Sequence, residues 1–117
     1  MTFRIIRCLP VVLVLTACGE PGGGSAAAEV ASRSLQPAEP ALADVYNRSC
    51  RNCHTVAATG SPLTGDRPAW EPRLAKGMNT LVDNVVSGFG GMPPLGLCMD
   101  CDADQFEALI QFMAEAR

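Results

Sequence analysis

The chain has 117 residues, six of them cysteine and one histidine, with nine basic against twelve acidic residues. That length holds one small folded unit and excludes a multidomain enzyme. The charge balance lacks the basic surface that a nucleic-acid binder needs, so no nucleic-acid partner is expected.

Residues 1–18 come first. Arg4 and Arg7 precede an apolar run, Leu9 to Ala17, that is too short to cross a bilayer as a helix and reads as a signal peptide. Leu15-Thr16-Ala17-Cys18 resembles the bacterial lipobox, in which the chain is cut before the cysteine and its thiol is acylated. Residues 1–17 are therefore expected to be a lipoprotein signal peptide, with Cys18 lipidated. Gly19 then implies an outer-membrane address on the periplasmic side. Removal of Arg4 and Arg7 takes the formal charge from −3 to −5, and Cys8 is lost with them.

Residues 18–40, with GGG at 22–24, AAA at 26–28 and prolines at 21, 37 and 40, carry few large apolar groups and read as a flexible tether. A short helix around Glu29–Ser34 is conceivable there, but nothing in the sequence holds it. The folded domain is expected over 41–117. A unit that small needs a staple or a cofactor to supplement its core. Its aromatics are scarce, with four Phe, one Tyr and one Trp in the whole chain, so another large group must fill the centre.

Four helical segments are expected, and no strand alternation is visible: an all-α domain. Leu42, Val45, Tyr46 and Ser49 recur at i, i+3, i+4, i+7 after Pro40. A weaker segment, Pro68–Leu74, is interrupted by Pro72. A third runs from about Asn79 to Ser87 and stops at Gly88. The last begins at Asp102, with Gln105 placed for a capping box, and carries the stripe Phe106, Leu109, Ile110, Met113. Long Gly- and Pro-rich loops, Thr59–Arg67 and Gly88–Leu97, connect them.

The decisive string is Cys50-Arg51-Asn52-Cys53-His54. C-x-x-C-H is the attachment pattern of c-type haem. Two thiols two residues apart on a helical turn each reach one vinyl group of the porphyrin, and the next residue carries an imidazole to the iron. A thioredoxin-like thiol pair competes poorly, because it needs a preceding strand. A four-thiolate zinc site would combine 50/53 with 98/101, but 44 residues separate Cys53 from Cys98, far beyond usual zinc spacing. For the sixth iron position the methionines Met78, Met92, Met99 and Met113 compete. Met113 belongs to the helical stripe, Met78 precedes a helix and Met99 is confined between cysteines. Met92 sits in Gly90-Gly91-Met92-Pro93-Pro94, where glycines permit close approach and prolines hold the loop extended. A thioether there favours the ferrous state.

With C-R-N-C-H, then G-G-M-P-P, then Cys98-Met99-Asp100-Cys101, the chain resembles the bacterial cytochromes c5, a branch of the class I c-type cytochromes. The resemblance covers nearly all of 41–117. It implies a class I fold of about four short helices around one covalent haem c, with thioethers at Cys50 and Cys53 and axial ligands His54 and Met92. It further implies a Cys98–Cys101 disulfide, Tyr46 packed against Phe106 or Ile110, and the Pro62 carbonyl bonded to the ligand histidine. Trp70 and Arg73 become candidates for haem-propionate partners, with simple packing as the other reading of Trp70. The first helix offers Ala41-Leu42-Ala43 where the family often has glycine. The implied function is a mono-haem electron carrier rather than an enzyme, docking transiently on cytochromes or on membrane oxidase or reductase complexes. Two competing readings are a haem enzyme or gas sensor with an open sixth site, and a haem-free thiol–disulfide protein.

Overall fold

The computed structural model describes residues 26–117, so the expected signal peptide, Cys8 and Cys18 lie outside the described residues. Six α-helices are found among them: α1 (Ala26–Ser34), α2 (Pro40–Val45), α3 (Arg51–His54), α4 (Arg67–Leu74), α5 (Met78–Ser87) and α6 (Ala103–Glu115). The only β-type pairing among the described residues is an isolated bridge between Phe89 and Met92. The all-α expectation holds.

The helix expected after Pro40 divides in two. Glu39 caps α2, its carboxylate accepting the N–H groups of Ala41 and Leu42 at 3.0 and 2.6 Å. Between α2 and α3, Tyr46–Cys50 forms a π-helical turn, with the Arg51 N–H bonded to the Tyr46 carbonyl. One extra residue in that turn rotates everything after it relative to α2. Val45, Tyr46 and Ser49 are buried, as the periodicity predicts.

α4 starts one residue before its predicted bound and tolerates Pro72. The proline removes one backbone donor, but the Trp70 and Ala75 N–H groups still close onto the Asp66 and Glu71 carbonyls at 3.1 and 3.0 Å. α6 has its capping box: the Asp102 carboxylate accepts from Gln105 N–H at 2.8 Å, and the Gln105 side-chain oxygen accepts from Asp102 N–H at 3.1 Å. Its stripe Phe106, Leu109, Ile110, Met113 is buried against Val45, Tyr46, Trp70 and Leu81. The ring that meets Tyr46 is Phe112, edge-to-face with centroids 5.0 Å apart. Phe112 stands three residues beyond Leu109, so α6 presents that flank of its stripe to the first helical segment.

Two expectations change. The stretch expected as a tether over 18–40 holds helix α1 in its described part, and α1 is bonded to the chain around α3. The Glu29 carboxylate accepts the Ala57 N–H at 2.8 Å, and Arg51 donates to the Arg33 carbonyl at 2.6 Å. Arg33 donates to the Thr55 carbonyl and pairs with Glu29, Gln36 bonds Asn47 at 2.8 Å, and Ser32 is fully buried. The second change concerns the prolines after Met92. Pro93 is extended, but Pro94 opens a tight turn, Pro94–Leu97, in which Leu95, Gly96 and Leu97 all take positive φ (59, 52 and 64°). A left-handed run with two leucines is strained backbone, and the packing around it must hold it.

Candidate haem-attachment site

Cys50, the N-cap of α3, and Cys53 and His54 within α3 carry the thiols and the imidazole. Cys50 closes the π-helical turn and is half-buried, whereas Cys53 is exposed; both are free thiols. Burial pushes the Cys50 thiol up to about 11, with Cys53 adding to the rise and Arg48 opposing it. Cys50 is therefore a neutral thiol near pH 7.

His54 is 7 % exposed. Its Nδ1 lies 2.8 Å from the Pro62 carbonyl. A carbonyl can only accept, so Nδ1 carries the proton and Nε2 keeps its lone pair. Burial lowers the His54 pKa, opposed by the Pro62 bond, and Arg73 lowers it further. The ring is thus a neutral imidazole with one nitrogen held and the other available to a metal. One face of it stacks on Trp70, centroids 5.8 Å apart.

The neighbouring segment is tied in at every residue. Leu63 accepts the Trp70 indole N–H at 2.8 Å through its carbonyl, and the Thr64 N–H donates to the His54 carbonyl at 2.7 Å. The Thr64 hydroxyl pairs with the Tyr46 hydroxyl at 2.9 Å. The single indole donor of Trp70 is thus bonded to the Leu63 carbonyl in this structure, an arrangement that fits the packing reading of Trp70. Arg73 donates to the Ala69 carbonyl, one of its five N–H groups.

Met92 is half-buried in a two-bond bridge with Phe89 (3.0 and 2.9 Å). The glycine this loop requires is Gly88. It has φ 82°, and a Cβ there would stand 3.0 Å from Pro94 N and 3.1 Å from the Met92 carbonyl. Gly90 also takes a positive φ, 58°, although a Cβ on it or on Gly91 would meet nothing within 4 Å. The Pro94–Leu97 turn, which directly follows Met92 and Pro93, packs on α5 and on the Tyr46–Cys50 turn.

Cys98 and Cys101 form a disulfide, and Asp100 inside that short ring accepts both Nη groups of Arg48 at 2.9 and 2.8 Å. The pair joins the ring to the turn that ends in Cys50. Among the described residues no three His, Cys, Asp or Glu converge as a metal cage, so the four-thiolate zinc reading has no support. Two thiols, a pre-oriented imidazole and a methionine are the donor set that a covalent haem needs.

A family model described as cytochrome c oxidase, cbb3-type, subunit III matches residues 37–113. Cytochrome c5 of Ectopseudomonas mendocina is 34% identical over 73 residues, 61% of this chain and 84% of that protein. Cytochrome c-555 of Chlorobaculum tepidum is 48% identical over 46 residues, 39% of this chain, and only 43% of that relative's length is spanned. Among solved structures, a mono-haem ferrocytochrome c from Shewanella putrefaciens superimposes with a TM-score of 0.58 at 39% identity. It covers 72% of this chain and 99% of that one. A second structure, of an electron transfer complex of nitrite reductase with cytochrome c, matches with a TM-score of 0.57 at 34% identity, covering 65% and 93%.

Proposed function

The chain belongs to the cytochrome c family, as a c5-type electron-transfer protein with one covalent haem c, and from that membership we propose its ligand set and place of work. Cys50 and Cys53 hold the thioether bonds, and His54 and Met92 are the axial ligands. Bound haem supplies the Fe(II)/Fe(III) couple. The observation that carries this reading is the His54 bond to Pro62, which fixes the tautomer and leaves Nε2 free on the same turn as both thiols. Filling both axial positions with protein groups keeps small molecules off the metal, as a carrier needs. Arg73 is a candidate partner for a haem propionate.

Partners are other redox proteins, met transiently. Nitrite reductase, the partner of one structural relative, illustrates the class. Phe89, Leu97 and Met99 stand exposed on either side of Met92 in the chain and offer an apolar contact area. A processed charge of −5 favours partners with basic patches. The protein works on the periplasmic side, anchored to a membrane, in our reading the outer one, through acylated Cys18.

The test is spectroscopic. Haem should stay with the polypeptide in acid–acetone, and the ferric protein should show a thioether–iron charge-transfer band that Met92→Ala abolishes. High-spin ferric haem with rapid ligand uptake in the unmodified protein would overturn the ligand assignment. For the anchor, mass spectrometry should find diacylglycerol on Cys18 at the mature N-terminus; an unmodified Cys18 there would overturn it.

A further inference from the structure

Pro62 has no backbone N–H and is only half-buried, so it cannot fix its own carbonyl against His54. Its position comes from the residues that follow. Leu63 and Thr64 are 1 and 2 % exposed. Leu63 is held by the Trp70 indole, and Thr64 by the His54 carbonyl and by the hydroxyl of Tyr46, itself 0 % exposed. Tyr46 lies in the π-helical turn leading to Cys50. The hydroxyl pair therefore joins the two chain segments between which the imidazole sits.

Space-filling does not require that pair. Phe and Val would match the two shapes, and two buried hydroxyls cost free energy unless each is bonded. What the pair adds is direction: a hydrogen bond fixes the spacing of the two segments where apolar contact would let them slide.

We propose that Tyr46 and Thr64 are positioning residues for the haem ligand. Their buried hydroxyl pair holds the 62–64 segment so that the Pro62 carbonyl keeps its bond to His54 Nδ1. A firm Nδ1–H···O=C bond makes the imidazole a stronger donor and favours ferric iron; a slack one favours ferrous iron. The role rests on His54 being the iron ligand.

The test compares Tyr46→Phe, Thr64→Val and Thr64→Ser in the full-length holoprotein. Three quantities are read: exchange of the Thr64 amide, the His54 Nδ1–H proton resonance of the ferrous form, and the reduction potential. Thr64→Val and Tyr46→Phe should speed Thr64 amide exchange about tenfold or more. Both should move the ring resonance upfield and raise the potential, while Thr64→Ser stays close to the parent protein in all three. Lower thermal stability with an unmoved ring resonance and potential would reduce the pair to a structural contact and overturn the proposal. Should Tyr46→Phe fail to assemble, the Val and Ser variants at position 64 decide alone. A parent protein without imidazole ligation would overturn the ligand assignment itself, a result distinct from an unmoved resonance in a His-ligated one.

Discussion

The Glu29 carboxylate accepts the backbone N–H of Ala57 at 2.8 Å, across 28 residues of sequence. Through this bond a helix lying before the family-matched region grips the chain three residues beyond His54.

Removing the grip should be measurable. Glu29→Ala leaves the Ala57 N–H without its acceptor and Arg33 without its ion-pair partner. Denaturant titration should show a loss of about 1.5–3 kcal/mol, the range for a hydrogen bond to a charged group. Exchange of the Ala57 amide should accelerate in parallel. An unchanged midpoint with unchanged exchange would mean that the Glu29–Ala57 bond contributes nothing to the fold.

Trp70 offers a cleaner separation of packing from hydrogen bonding. Trp70→Phe keeps a ring for His54 to stack on but leaves the buried Leu63 carbonyl without a donor. The expected cost is about 1–3 kcal/mol, with the apparent pKa of the haem propionates left unmoved. A propionate titration that shifts in Trp70→Phe would restore the indole to the role expected of it from the resemblance.

The Arg48–Asp100 pair gives a pH signature. Arg48 holds the Asp100 carboxyl below its usual range. A folded value below the unfolded one means the contribution is complete above the unfolded pKa, about 3.9, and is lost as pH falls through the lower folded value. The gap in thermal midpoint between the parent protein and Asp100→Asn should therefore narrow once the pH drops below about 4. Both side chains are exposed, by 46 and 71 %, so the gap should be small and should shrink further in high salt. A gap constant from pH 7 to pH 2 would contradict the pairing.

At Gly65 a methyl group should hurt more than at Gly60. At φ 82° its added Cβ would lie 2.7 Å from Leu35 Cδ1 and 3.1 Å from the Ala116 carbonyl oxygen, whereas at Gly60 (φ 73°) nothing lies within 4 Å. Gly60→Ala should cost the left-handed penalty alone, about 1–2 kcal/mol. Gly65→Ala should exceed it by a further 1 kcal/mol or so, since the clash also displaces the residues after α1. Equal midpoints for the two variants would show that Leu35 is not seated there.

Local signals made the centre of this molecule readable in advance. The attachment motif occupies five consecutive residues, and the α6 cap and stripe follow from spacing alone. The Pro62 bond and the Cys98–Cys101 pairing are implied by the resemblance alone, and the structure contains both. Contacts between distant residues were out of reach. Arg48 and Asp100 are 52 residues apart, and no periodic signal links them. Hydropathy gave no reason for the short helix around Glu29–Ser34 to dock, because AAAEVASRS carries one large apolar residue and is held by carboxylate, guanidinium and backbone groups instead. The π-helical turn stayed hidden because its residues satisfy the same i, i+3, i+4, i+7 pattern as an uninterrupted α-helix.

On the anchoring proposed above at Cys18, a docked α1 would also set how far the carrier can roam. From Cys18 to Ala26 the backbone spans at most about 27 Å, but from Cys18 to Pro40 it could extend to about 75 Å. The volume within which the domain searches for a partner scales with the cube of that radius, so unpinning the helix would enlarge it roughly twentyfold and dilute the carrier at the membrane by the same factor. A few hydrogen bonds behind the haem motif would thereby govern encounter frequency without touching the metal site.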